Sequence, residues 1–296
     1  MLSVEAGGEG GADAVSGLSV VVPALNEGPT LKDTVADLRK ALVGRNYEVL
    51  VIDDGSEDGS SDGLAASDVR VIKNPMPMGY GHAVKQGVRA ARFEHVGIID
   101  ADRTYRAEDL VALWNLVPGF DMVVGARTLP GSQMPWLRRA VKAVLFRFAE
   151  YVAGTRIPDL NSGLRVFTRE AALRHESLLP HGFSLTTTLT LALLADGRPV
   201  TYVPIVYLAR EGKSKIQPMR DTLRFASHIV KMACQVKPLK VFVPIGLALL
   251  TAAAIRLAWD VLVAHDIGDS STMLVTSGLE VALMGLLAEL VVRRRS

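Results

Sequence analysis

The stretch IIDADRTY, residues 98–105, runs apolar until it delivers two carboxylates one residue apart, Asp100 and Asp102. Like charges that close repel unless a cation lies between them or one takes up a proton. Hard oxygen donors at a strand tip suit Mg2+ or Mn2+, which bind through one or two carboxylates together with substrate phosphates. Aspartates also serve as plain strand ends and turn caps, so the surrounding chain has to decide. A second acidic pair, Asp53 and Asp54, closes the apolar run YEVLVIDD in the same way.

The elements that must position these pairs are legible from periodicity. From Leu18 onward, LSVVVPA, YEVLVIDD, VRVIK, HVGIID and DMVVGA read as strands. TLKDTVADLRKAL, GHAVKQGVRAAR and AEDLVALWNLV read as helices, the first with Leu31, Val35, Leu38 and Leu42 on one face. Wholly apolar strands separated by amphipathic helices predict an α/β domain whose mainly parallel sheet is covered on both faces. Ligands of such sheets bind beyond the carboxyl ends of the strands, where Asp53, Asp54, Asp100 and Asp102 all fall. Other chemistries lack their marks. No G-x-G-x-x-G follows the first strand, and there is no G-x-x-x-x-G-K-[ST] loop. The histidines and the cysteine have no zinc spacing.

A net charge of +2 over 296 residues carries no commitment to nucleic acid. Cys234 is the only cysteine, which excludes an intramolecular disulfide. Residues 1–17, small, Gly-rich and acidic, read as a disordered leader without the basic and apolar regions of a signal peptide.

The mean hydropathy of +0.25 has its source at the C-terminus. Arg220, Arg224, His228 and Lys231 recur on one helical face opposite Leu223, Ala226, Val230 and Ala233. Residues 218–240 therefore read as an interfacial amphipathic helix and linker, with a plain surface helix as the alternative. Two apolar stretches follow, 241–264 and 273–292, each able to span a hydrocarbon core, and then a basic tail, 293–296. A helical hairpin docked on the soluble domain is the alternative. Lys237, Lys240 and Arg293 to Arg295 flank the outer ends, while the loop HDIGDSST has two Asp and no Lys or Arg. Both ends are then cytoplasmic by the positive-inside rule. Arg256 and Glu280 lie at matching depths, which predicts that they face each other, with Asp260 as a secondary partner.

Taken in order, VVVPALNE, VIDDGSEDGS, NPMPMGYGHAVKQG and DADRTY resemble glycosyltransferase family 2, with its GT-A fold. The continuation DLNSGLRVFTRE and GFSLTTTLTLALLADGRPVTYVPIVYLAREGKSKI is similar to the branch that loads sugars onto polyprenyl phosphates, as dolichol-phosphate mannose synthase does. The resemblance covers residues 18–236 and implies a catalytic domain over 18–217. It implies that Pro23, Asn26 and Glu27 line the nucleotide pocket and that Asp53 bonds the base, with Asp54 close by. Asp54 has a turn and helix cap as its alternative reading. Lys85 is either a nucleotide-sugar contact or a solvated helix residue. Asp100 and Asp102 form the metal pair, with Asp102 the direct ligand. Asp159, in PDLNSG, is the remaining candidate acid or base, or an Asx-turn.

A phosphate acceptor changes what the site must supply. Such a group is largely ionised already, so it needs cations to hold it where a hydroxyl would need a general base. The candidates are Arg127, Arg138, Arg139, Lys142, Arg165, Arg210, Lys213 and Lys215. The loop REGKSK packs three of them around Ser214 and is the preferred clamp, aided by Arg127, Arg138 and Lys142. Arg210 is its catalytic cation. The expected activity is a metal-dependent inverting transfer of a hexose from a UDP- or GDP-sugar to polyprenyl phosphate at the cytoplasmic face of a membrane. A family member with a glycan or lipid hydroxyl acceptor, using Asp159 as base, is the first alternative. A non-catalytic nucleotide-binding scaffold is the second. The expected partners are the donor, the lipid acceptor and the bilayer, with a second copy of the chain left open.

Overall fold

The computed structural model describes residues 15–128, 136–182, 184–208, 218–265 and 268–294. In chain order the first elements are β1 (Val15–Ala24), α1 (Gly28–Ala41), β2 (Tyr47–Asp53), β3 (Val69–Lys73), α2 (Tyr80–Ala90) and β4 (Phe93–Ile98). Next come α3 (Ala107–Leu116), β5 (Met122–Ala126), α4 (Trp136–Ala153), β6 (Arg165–Thr168), α5 (Arg169–Arg174), α6 (Leu185–Ala195) and β7 (Val200–Pro204). Three long helices finish the chain: α7 (Pro218–Val236), α8 (Leu239–Trp259) and α9 (Asp269–Arg293).

The seven strands form one sheet in the order β3-β2-β1-β4-β6-β5-β7. Only β6 runs against its neighbours β4 and β5; the other pairings are parallel. Every strand but β6 therefore ends at the same edge of the sheet, which brings their C-terminal loops together. The apolar alternation of the sequence is spent on this layer: Val20, Val22, Val49, Val51, Leu110, Leu113 and Val166 are fully buried in one core with Leu31, Leu38 and Leu42 of the α1 segment.

Order begins earlier than Leu18. Val15 already pairs with Phe93 across a register irregularity, and a Cβ on Gly17 would stand 2.6 Å from the Phe93 ring. The leader boundary at residue 17 thus moves back, because the glycine lets β1 continue beneath that ring. Residues 1–14 lie outside the described residues.

The chain divides into two compact units. The first holds all seven strands with α1, α2, α3 and α5; the second holds α4 and α7 to α9; α6 contributes to both, changing over after Leu189. A single boundary at residue 217 does not describe this, since α4 lies within 18–217 yet belongs with the C-terminal helices. One reason is local: Lys240 Nζ donates to the carbonyls of Tyr151 and Val152 at 2.8 and 3.0 Å, closing the C-terminal end of α4.

Within the second unit, α8 and α9 pack as a hairpin through small residues. A Cβ on Gly246 would lie 3.0 Å from the Gly278 carbonyl, and one on Gly278 would meet Leu250 at 2.8 Å. Such close backbone approach is how helices associate where apolar burial gives no advantage. Spans Leu239–Val263 and Asp269–Val292 are long and apolar enough to cross a membrane. The pairing expected between Arg256 and Glu280 is not formed. Arg256 instead bridges Asp260 at 3.1 Å, one turn away on its own helix. Asp260 is buried and held by Ser271 Oγ at 2.5 Å and the Gly268 N–H at 3.1 Å, so the turn between the helices fixes it as the partner. Glu280 is exposed.

Candidate active site

β1 and β2 end side by side, with Ala24 opposite Asp53, and the loops that leave them are stitched together. Asp54 N–H donates to the Ala24 carbonyl at 2.8 Å. Asn26 N–H donates to Ser56 Oγ at 3.0 Å, and Asn26 Oδ1 accepts Glu57 N–H at 2.9 Å. Asn26 adopts φ +51°, a left-handed conformation that asparagine tolerates better than most side chains. Pro23 is buried in a central strand, which normally excludes proline. The ladder to β4 has ended at Val21 and Ile98, two residues earlier, so Pro23 stands where β1 has only one neighbour left. Glu27 follows at the N-terminus of α1.

The second carboxylate pair does structural work. Asp53 Oδ1 accepts the Ser56 N–H at 2.7 Å, its other oxygen accepts the Ser61 hydroxyl, and Lys73 stands 3.6 Å away. Burial alone would raise the Asp53 pKa, but these hydrogen bonds and the lysine outweigh it and hold the carboxyl below its usual range. Asp54 accepts Asn74 Nδ2 and the Met78 N–H at 2.9 Å each, and the Gly79 N–H at 2.7 Å. Asp54 therefore ties the end of β2 to the loop that enters α2.

That loop explains the spacing GYGH. Gly79 has φ +104°, and a Cβ there would sit 2.7 Å from the His181 carbonyl. A Cβ on Gly81 would strike the carbonyls of Pro180 and Gly182. Only glycine permits the approach, which is sealed by His82 N–H donating to the His181 carbonyl at 3.1 Å. Lys85 serves the same contact. It is buried, donates to the Leu179 carbonyl at 3.0 Å, and lines a small cavity with Phe167, Glu176 and Leu185. Burial pulls its pKa down, against the nearby charge of Glu176.

Asp100 and Asp102 follow β4 directly. The register sets Ile98 opposite Arg165, so two residues further on Asp100 meets Gly163, and a Cβ on Gly163 would lie 2.8 Å from the Asp100 Cγ. Tyr80 Oη donates to Asp100 Oδ1 at 3.2 Å. Asp102 is buried and accepts both the Thr104 hydroxyl, at 2.6 Å, and its N–H, at 3.2 Å. Arg103, between the motif and Thr104, has φ +58° and reaches Asp33 and Asp37 of α1 at 3.4 and 3.6 Å. Burial, then the charge of Asp102, pushes the Asp100 pKa up to about 6, although Tyr80, Arg127 and Arg165 pull the other way. A partly buried carboxyl beside a buried second one presents a place for a cation. Among the described residues no third carboxylate, histidine or cysteine joins the pair. The donor set therefore fits a divalent ion that takes its remaining ligands from substrate phosphate and water.

Three residues here escaped sequence reasoning as site residues. Tyr80 and Tyr105 carry no periodic signal, and each hydroxyl is pushed up in pKa by burial and by Asp100. Gly163 sits inside SGLR, where only the strand register reveals its neighbour. The sequence offers Arg165 among the candidate anion-binding cations. It is instead fully buried, donating to the carbonyls of Ser162 and, at 2.9 Å, Thr186, so it braces the floor of the site. The threonine-rich face of α6 is likewise buried, with Thr187 donating to Asn161 Oδ1 at 2.7 Å.

Arg127 leaves β5 at the same edge, and its guanidinium lies 5.3 Å over the Tyr207 ring. Asp159 is buried and belongs to the second unit. Arg138, Arg139 and Lys142 lie in α4, and Arg220, Arg224 and His228 in α7, all with side chains outside the described residues. Arg210, Lys213, Ser214 and Lys215 lie outside the described residues altogether.

Comparison with known proteins adds to this geometry. The family model described as Glycosyl transferase family 2 matches residues 19–175, and that described as GtrB C-terminal hairpin matches residues 237–293. With the length and hydropathy of α8 and α9, the second match marks a membrane-associated chain. A dolichyl-phosphate hexose transferase of Haloferax volcanii is 31% identical over 74% of this chain and 94% of its own. A polyprenol monophosphomannose synthase of Mycolicibacterium smegmatis is 29% identical over 67% of this chain and 80% of its own. Among solved structures, glucosyl-3-phosphoglycerate synthase from Mycobacterium tuberculosis, in complex with Mn2+, UDP and its product, shares the fold. Its TM-score is 0.56 at 20% identity, covering 74% of this chain and 78% of that one.

Proposed function

This chain belongs to glycosyltransferase family 2, and we propose that it transfers a hexose from a nucleotide sugar to polyprenyl phosphate at the cytoplasmic face of a membrane. The single observation that carries the reading is the Asp100–Asp102 pair, set at the sheet edge of a chain that ends in the hairpin of a membrane-associated branch. The names of the dolichyl- and polyprenyl-phosphate relatives support the acceptor class.

In this reading Pro23, Asn26 and Glu27 shape the nucleotide pocket. Asp53 bonds the base, with Asp54 close by, and both hold the two loops in place through the bonds described above. Asp100 and Asp102 hold Mg2+ or Mn2+, with Asp102 as the direct ligand. The ion, when bound, stabilises charge on the departing nucleoside diphosphate. An oxygen of the acceptor phosphate attacks the anomeric carbon from the opposite face, a new carbon–oxygen bond forms, and the bond to the diphosphate breaks. No proton has to leave the nucleophile, so the demand falls on cations. Arg127, Arg138, Lys142, Arg210, Lys213 and Lys215, with the Ser214 hydroxyl, are the residues assigned to hold the acceptor phosphate, with Arg210 as the catalytic cation of this clamp. Asp159 acts as general base only if the acceptor is a hydroxyl.

The test is a transfer assay on membranes containing the protein, offering a panel of labelled UDP- and GDP-hexoses with either polyprenyl phosphate or polyprenol. Label entering the lipid phase with the phosphate and not with the alcohol supports the reading. Transfer to the alcohol or to a glycan hydroxyl alone would replace it with the hydroxyl-acceptor activity.

A further inference from the structure

Tyr207 stands where the chain leaves β7 and is clamped on both sides. Ile205 N–H donates to the Ala126 carbonyl at 2.9 Å, extending the β5–β7 pairing, and Leu208 N–H donates to the Thr104 carbonyl at 3.0 Å. The segment thus bridges the end of β5 and the loop that follows Asp100 and Asp102. Its ring meets Tyr105 edge-on, with centroids 5.3 Å apart at 66°. Tyr105 is buried, and its hydroxyl accepts the N–H of Gly163, the glycine that abuts Asp100, at 2.9 Å. On top of the Tyr207 ring lies the Arg127 guanidinium, at 5.3 Å.

Tyr207 is 45% exposed, so core packing does not account for it. What its ring does is restrict an arginine. A guanidinium stacked on an aromatic face loses rotamer freedom, and a phosphate is bound through its N–H edge and not through the stacked face. We propose that Tyr207 is a positioning residue whose ring holds Arg127 in the pose from which it binds a substrate phosphate beside Asp100 and Asp102. This rests on the reading above, which gives Arg127 to a phosphate, and it extends that reading to the residue that orients it. The phosphate belongs either to the donor diphosphate or to the acceptor monophosphate, and the two sources are separable by experiment.

The full chain in detergent is titrated by calorimetry with Mn2+ and UDP, Mn2+ and GDP, and farnesyl phosphate. The proteins are wild type, Tyr207→Leu, Tyr207→Phe, Arg127→Met and the Tyr207→Leu/Arg127→Met double variant. Tyr207→Leu is expected to weaken one class of probe about three- to thirty-fold. Tyr207→Phe, which keeps the ring, stays within about twofold, and the leucine change adds nothing once Arg127 is gone. A loss confined to the nucleoside diphosphates assigns Arg127 to the donor, and one confined to farnesyl phosphate assigns it to the acceptor. Should Tyr207→Leu fail to fold, Tyr207→Met is read in the same cycle. Unchanged binding in Tyr207→Leu, an equal loss with and without Arg127, a phenylalanine variant as weak as the leucine one, or a wild type that binds no probe overturns the proposal. If the cycle holds while the transfer assay fails, the Tyr207–Arg127 pair stands and the acceptor assignment falls.

Discussion

Tyr80 donates its hydroxyl to Asp100 Oδ1 across 3.2 Å, joining the first residue of α2 to the first carboxylate beyond β4. This bond is one of the few features that favour the charged form of Asp100 against burial and Asp102. Tyr80→Phe removes it without changing the volume of the ring. Asp100 then holds its proton to higher pH, and Mn2+ affinity at pH 7 is expected to fall several-fold, with recovery toward wild type at pH 8. Calorimetric titration at both pH values checks this; equal affinities in both proteins would contradict it.

The pH dependence of stability carries a definite sign. The folded pKa of Asp100, about 6, lies above its ordinary 3.8, so the folded protein binds that proton more tightly than the unfolded chain. The contribution to stability is present at low pH and is lost as pH rises through about 6. Above that value the ionised pair burdens the metal-free fold. Added Mn2+ is therefore expected to raise Tm clearly at pH 7.5 and hardly at pH 5. Asp102→Asn, which removes the neighbouring charge, is expected to raise the metal-free Tm at pH 7.5 and to abolish the metal response. A metal-induced rise that is the same at both pH values would count against the pair as the binding place.

Gly163 leaves no room for a side chain beside Asp100. Gly163→Ala is expected to displace that carboxylate and to lose transfer by at least tenfold while the protein stays folded. Gly163 is not among the glycines with positive φ, so alanine strains no backbone there and the damage is local. Far-ultraviolet circular dichroism and the transfer rate, taken together, test it. Wild-type activity in the alanine variant would show that the carboxylate has slack the structure does not reveal.

In the hairpin, Asp260 takes Arg256, Ser271 and Gly268 as partners, whereas Glu280 is exposed. Asp260→Ala is expected to lower the Tm in detergent clearly, and Glu280→Gln to leave it nearly unchanged. Arg256→Met should add little to Asp260→Ala, since both break one bridge. Strong coupling between Arg256 and Glu280 would reverse the assignment.

Periodicity and strand-tip chemistry made the sheet, its edge and the Asp100–Asp102 pair legible before any coordinates, because alternation and carboxylate spacing are local. What was not legible depends on distant register. Gly163 is recognisable only once Ile98 faces Arg165, and the roles of Asp54 and Lys85 emerge only when the loop before α2 is seen packed on residues 179–182. Arg165 illustrates the same limit. A cation in a loop-like context looks ready for a ligand, but this one is consumed by carbonyls beneath the site. Equal depth along two apolar helices likewise suggested Glu280 for Arg256, where the turn between the helices selected Asp260.

The most direct measurement is the stoichiometry of a single reaction, with the accepted nucleotide hexose and polyprenyl phosphate incubated with Mn2+ and the full-length protein. Mass spectrometry of the lipid and chromatography of the nucleotide are read together. The account expects one hexose added to the lipid phosphate for each nucleoside diphosphate released, and neither product with Asp102→Asn or without a divalent ion. Release of nucleoside monophosphate, a lipid that gains hexose and phosphate together, or full activity in Asp102→Asn would contradict it.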